Sequence, residues 1–370
     1  MPNKEVFSRT GYEGAKTTRG VKTDSGVTKA AEQQAKTTGK LRTSIDPSQG
    51  PLGPIRLSLI RFESEEGRWV VGVGCPMDVE SICDTTGSMG NNVDVAMRVL
   101  PDTYELLAKV LPGYDVQLAL GIFGDVQDKF ILNRMQFEMT ADKLVGALAD
   151  MVPERDGHDA TEDPQYGLFG AAYLTQTYTN RIGLKGYHFA ISDASARGWL
   201  SAENIERVFG EEVWERLAEN GQQISRDRLP STQDVVRDLL KRAHAFFLMV
   251  GNNTGTYADW KDLYGAERIV RLPDTKYLPQ IQAAIVGLTE GTLNLQDVQD
   301  FLIDAGMSKS STQEVLRDLV NIPIGAQAVL RDQLPHDVPK AGDVFANKTD
   351  LWPTEGDGEE QAGEAGTQWL

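Results

Sequence analysis

Between residues 77 and 288 the chain alternates short apolar runs with longer stretches whose apolar residues recur at helical spacing. The runs cover 77–83, 116–123, 186–191, 244–250 and 268–272. Most carry no regular polar alternation, which marks strands buried on both faces. Of the intervening stretches, 92–111 carries Val93, Met97, Leu100, Tyr104, Leu107 and Leu111 in one helical stripe, 232–242 is an amphipathic helix, and 277–288 is a last crossover helix. Pro101 kinks or breaks the first of these. Strands that alternate with helices build a mostly parallel sheet covered on both faces. One antiparallel pair is built in, because the alternating run 129–137 follows 116–123 after only the turn Asp125-Val126-Gln127-Asp128. The fold class is therefore α/β, doubly wound, with one antiparallel strand pair.

Composition divides the rest. Residues 1–53 are rich in Lys, Thr, Ser, Gly and Gln with hardly any aliphatic clustering, which reads as a flexible arm, mildly basic against an acidic remainder. A sheet domain with an N-terminal hairpin is expected over 54–290, a two-helix appendage over 291–337, and a disordered acidic tail over 338–370. Net charge is −17, from 37 basic and 54 acidic residues, so attraction to nucleic acid or to an anionic membrane is not expected. No run reaches the roughly 20 apolar residues of a membrane span, and the N-terminus lacks a signal pattern. Of the two cysteines, Cys83 falls on a central strand and reads as a buried thiol, which fits a reducing, cytoplasmic compartment.

The chemistry concentrates after the first central strand, in Asp84-Thr85-Thr86-Gly87-Ser88-Met89-Gly90. A carboxylate and two hydroxyls at alternate positions of a turn can converge on one hard cation of the magnesium type. In an open α/β sheet such a site lies beyond the carboxyl ends of the strands, where strand order reverses. Two more loops belong there: Asp156-Gly157-His158-Asp159-Ala160-Thr161-Glu162, placed before a helix that starts at Thr161, and Asp193, just after the apolar run 186–191. The motif resembles the metal-ion-dependent adhesion site of von Willebrand factor A domains, over roughly residues 78–288. Three features look like the intracellular bacterial members: the acidic middle loop, Phe123-Gly124-Asp125 with Asp128-Lys129, and Phe137-Glu138. The resemblance implies direct hydroxyl ligation by Thr86 and Ser88, with Asp84 and Asp193 acting directly or through water. It also implies a middle-loop ligand, either Thr161 or Asp159.

Neutral hydroxyl ligands leave a bound Mg²⁺, or Mn²⁺ or Ca²⁺, electron-poor and open to an Asp or Glu of a partner protein. The expected function is therefore metal-dependent protein binding by an adaptor or scaffold, not catalysis. The alternatives are a Mg²⁺-dependent hydrolase and a structural assembly subunit whose site is unfilled. Asp84 and Ser88 also suit a helix N-cap, and Thr161 suits one equally. Asp125 and Asp128 read as hairpin-turn residues. His188 and His244 fall on or beside apolar strands and read as structural, and Trp199, Trp214 and Trp260 as packing residues. Neither a phosphate-binding glycine loop with its lysine nor a Gly-x-Ser-x-Gly turn is present.

Overall fold

The computed structural model describes residues 7–49, 56–57, 62–65, 68–71, 75–112, 114–155, 161–181 and 183–332. Asp159 and the tail expected over 338–370 lie outside the described residues. Ahead of the main sheet come β1 (Arg56–Leu57) and the antiparallel pair β2 (Phe62–Glu65) and β3 (Arg68–Val71). Next are β4 (Cys75–Asp84), β5 (Tyr114–Phe123), β6 (Leu132–Arg134), β7 (Thr161–Glu162) and β8 (Thr175–Gln176), the last paired with β1. The chain continues through β9 (Gly186–Ser192), β10 (Ser195–Ala196), β11 (Ala243–Val250) and β12 (Ile269–Leu272). Six of these form one sheet in the order β12-β11-β9-β4-β5-β6, all parallel except β6. Strand order reverses at β4, whose neighbours are β5 on one side and β9 on the other, so a crevice opens beyond their carboxyl ends.

Each central strand feeds both faces. Val79 and Cys83 of β4 join one apolar cluster with Met97, Leu107 and Ile285, while Ile82 joins the other with Phe169, Phe247 and Trp260. The helices Asn92–Val99, Thr103–Val110, Ala141–Asp150 and Leu278–Glu290 cover the first face. Gln165–Tyr173, Ala202–Phe209, Thr232–Arg242 and Thr254–Tyr264 cover the second. Pro101 does break its helix, leaving a 3₁₀ turn over Leu100–Asp102 between two shorter helices. The free thiol Cys83 is buried, and burial pushes its pKa up.

Three expectations change. Within the first 53 residues, the described part 7–49 is not a loose arm. It folds into helices Arg9–Thr18 and Lys29–Thr38, capped by the Ser8 and Thr28 hydroxyls. Phe7, Tyr12 and Ile45 are buried in the domain's own core. Phe7 N donates to Met139 O (3.0 Å) and Arg134 N to Ile45 O (2.8 Å), so the segment runs along β6 and covers the edge of the sheet. Arg9, Arg19 and Arg42 pair with Asp102, Asp142 and Asp150 of the acidic body. A few wide-spaced anchors hold a segment whose average composition is polar.

Thr161 does not start a helix either. Pro164 disfavours helical backbone at the residue before it, and Thr161 and Glu162 pair in parallel with Ser195 and Ala196, so the helix starts at Gln165. Finally, 291–332 carries three helices, not two: Leu295–Asp304, Lys309–Leu319 and Ala326–Asp332. Val298, Leu302, Val315 and Leu319 share the main core. Among the described residues no helix is long and apolar enough to cross a membrane.

Candidate metal centre

The site grows from the end of β4. Asp84 is its last residue, fully buried, and Cys83 pairs with Ile191 of β9, which sets Asp84 beside the end of that strand. Asp84 Oδ1 accepts from Thr86 N (2.8 Å) and from Thr86 Oγ1 (2.7 Å), and Oδ2 accepts from Ser192 Oγ (2.6 Å). These bonds fold the chain after β4 back over the strand end. The 3₁₀ turn Gly87–Met89 then lifts Ser88 to the surface, where its hydroxyl donates to Asp193 Oδ1 (2.8 Å). The Thr86 and Ser88 hydroxyl oxygens are 3.2 Å apart.

The hydrogens decide what this means. A hydroxyl has one hydrogen and two lone pairs. Thr86 spends its hydrogen on Asp84 and Ser88 spends its own on Asp193. With both shorter bonds made, neither hydroxyl has a hydrogen left for the 3.2 Å contact between them. Two oxygen lone-pair regions face each other at the edge of a carboxylate cluster. Oxygen-only donors of this kind suit a hard divalent cation. Among the described residues no group of three or more His, Cys, Asp or Glu side chains is placed to hold a metal ion. Any cation here must therefore use the hydroxyls.

Of the residues singled out in the sequence, Asp84, Thr86, Ser88 and Asp193 come together directly. Thr161 is half-buried in β7, one position before Glu162, and Asp159 lies outside the described residues. Several participants went unnoticed. Ser192 holds the second oxygen of Asp84; its adjacency to Asp193 was the only signal. Glu162 is 3% exposed and lies by Asp84, within hydrogen-bonding reach of Thr86. Its Oε2 has no hydrogen-bond partner. Asp163 works as a strut: Oδ2 accepts from Val126 N (2.7 Å) and Oδ1 from Arg197 Nε (3.0 Å), which ties three loops together. Asp125 and Asp128 do form a turn, with Asp125 N donating to Asp128 Oδ2 (2.9 Å). Trp199 is no core residue; it stands 55% exposed beside the Arg197 guanidinium, on the loop that follows Asp193.

No protein-family model and no curated protein matches the sequence. Among solved structures, the chain is similar to the vWF domain of the type V pilus tip protein Mfa5 of Porphyromonas gingivalis, at 10% identity and a TM-score of 0.36, over 64% of this chain and 98% of that one. It is similar to the pilus adhesin SpaC of Lactobacillus rhamnosus GG, at 14% identity and a TM-score of 0.41, over 58% of this chain and 31% of that one. It is also similar to proximal thread matrix protein 1 from the mussel byssus, in a form with a zinc-occupied MIDAS motif, at 13% identity and a TM-score of 0.35, over 59% of this chain and 46% of that one. The chain thus spans less than half the length of the last two. Likenesses this weak add nothing to the strand order and the hydrogen-bond geometry.

The carboxylates set the electrostatics. Burial pushes the Asp84 carboxyl up to about 6, against the opposing effect of its bonds from Ser192 and Thr86. Burial, then the charge of Asp84, pushes Glu162 up to about 9. Both folded values lie above the ordinary 3.8 and 4.5, so the folded protein keeps protons that the unfolded chain releases. That stability is fully present below the unfolded values and is lost as pH rises through the folded ones. In chelator, the Tm is expected to fall between roughly pH 5 and 9, and Glu162→Gln to flatten the fall. Thermal melts across that range check this; a Glu162→Gln profile as steep as wild type would refute the assignment.

Proposed function

We propose that the chain is a protein-binding module that grips an acidic side chain of its partner through a divalent cation. Thr86 and Ser88 bind the cation through their hydroxyl oxygens, Asp193 supplies a carboxylate, and Asp84 orients Thr86 from beneath. The observation that carries this reading is the 3.2 Å approach of the Thr86 and Ser88 hydroxyl oxygens, each also bonded to a carboxylate, Asp84 or Asp193. A cation of the magnesium class between them would take both oxygens as a ligand pair. Ser88 is exposed, so the cation keeps an open position toward solvent. A partner carboxylate is the natural occupant, because the acidic protein around the site repels anions unless a cation intervenes. Trp199, exposed near this face, is suited to serve as an aromatic anchor at the rim.

Selection of a displayed peptide library on the immobilised protein in Mg²⁺, with elution by chelator, tests the reading. The recovered peptides are expected to share an Asp or Glu whose replacement by Ala abolishes binding. Peptides that bind equally in chelator, or that share no acidic residue, would contradict it.

A further inference from the structure

The resemblance that brought Thr86, Ser88 and Asp193 together asks the middle loop for one more oxygen and points to Thr161 or Asp159. The described end of that loop places a different residue at the site. Strand β7 is extended and paired with β10, Thr161 opposite Ser195 and Glu162 opposite Ala196. Successive side chains of an extended strand leave on opposite faces. Glu162 takes the inward face: it is 3% exposed, within hydrogen-bonding reach of Thr86 and in the field of Asp84. Thr161, on the other face, is half-buried. The Glu162 Oε2 atom is buried without a hydrogen-bond partner, an expensive arrangement for a polar atom unless something absent from the protein itself completes it. The backbone holds Glu162 in place, since its carbonyl accepts from Arg197 N (3.0 Å), and Asp163 anchors the next residue to two neighbouring loops.

We propose that Glu162 is the middle-loop ligand of the cation centre, offering its carboxylate beside the Thr86 hydroxyl, and that Thr161 takes no part. The proposal rests on the cation reading given above. Its consequence is chemical. A carboxylate where a hydroxyl was expected adds negative charge to the shell, so the centre holds a divalent cation by itself, before any partner arrives.

The test is calorimetric titration of Mn²⁺ into the full chain and into Glu162→Gln, Thr161→Ala, Asp159→Asn and Ser88→Ala, with a melt of each in chelator. Glu162→Gln keeps the shape and removes the charge. It is expected to lower Mn²⁺ affinity by about 10- to 100-fold or more without lowering the Tm in chelator. Thr161→Ala is expected to bind as wild type does. Wild-type affinity in Glu162→Gln, or a loss confined to Thr161→Ala or Asp159→Asn, overturns the proposal. So does a loss in Glu162→Gln accompanied by a lower Tm in chelator, which would make Glu162 a packing residue. If wild type takes up no Mn²⁺, or Ser88→Ala binds as well as wild type, the cation reading itself fails and takes this proposal with it.

Discussion

Asp84→Asn is expected to weaken Mn²⁺ binding by about 10- to 100-fold while leaving the cation-free fold intact. Asp84 accepts three hydrogen bonds, from Thr86 N, Thr86 Oγ1 and Ser192 Oγ. The asparagine oxygen can still accept from the Thr86 backbone, and its NH₂ can donate to Ser192, so the turn survives. What disappears is the charge beneath the hydroxyls and the strong acceptor that draws the Thr86 hydrogen away from the cation. A ligand oxygen that keeps its hydrogen pointed at the cation is a poor ligand. The fold gains from the change, because burial already works against the ionised form of Asp84. Calorimetric titration combined with melts in chelator separates the two effects. Near-wild-type affinity would mean that Asp84 is only a turn residue.

The second large effect lies near the middle of β4. Glu80 and the guanidinium of Arg134 form a buried ion pair, with Arg134 Nη2 also donating to Thr175 Oγ1 (2.7 Å). Arg134 sits on β6 and Glu80 on β4, with β5 between them. The side chain of Arg134 passes over β5 where the facing residues are Ala119 and Gly121. A Cβ at Gly121 would stand 3.2 Å from Ile82 Cγ2 and 3.7 Å from Arg134 Cγ, and one at Gly170 would stand 3.0 Å from Arg134 Nη1. Small residues clear the path. Arg134→Ala removes the guanidinium that Glu80 faces in the core, and burial pushes the neighbouring His188 down to about 4, so that ring does not replace the lost charge. Denaturant unfolding is expected to show a loss of about 3–5 kcal/mol. Replacing both partners with apolar residues, Arg134→Met with Glu80→Leu, should recover most of it. A loss below about 1 kcal/mol for Arg134→Ala would place the pair in solvent-like surroundings.

The parts of this molecule that could be read from the sequence are those governed by local pattern. The apolar runs that became β4, β5, β9, β11 and β12 owe their continuity to burial on both faces. Pro101 broke its helix because it lacks a backbone donor. Asp84, Thr86 and Ser88 were legible because one turn carries all three, and Asp193 because it follows an apolar strand. The misreadings share a cause, which is that pairing over long distance overrides local preference. Residues 7–49 are polar on average, yet Phe7, Tyr12 and Ile45 reach a core built more than a hundred residues away in part, and arginines meet the acids of the helix at 141–150. Thr161 and Glu162 carry the pattern of a helix start, but pairing with Ser195 and Ala196 makes them a strand. That change exchanges which of the two faces Asp84, and no window over a single sequence contains the information. Ser192 and Asp163 were missed for the same reason: their partners are Asp84 and the turn at Val126, each on a different loop.

Everything functional here depends on a cation between the Thr86 and Ser88 hydroxyls. Anomalous diffraction from crystals soaked in Mn²⁺ looks at that point directly. The account predicts one strong peak within roughly 2.0–2.5 Å of both hydroxyl oxygens, lost in Ser88→Ala crystals. Mn²⁺-soaked crystals with no peak between those two oxygens would contradict it.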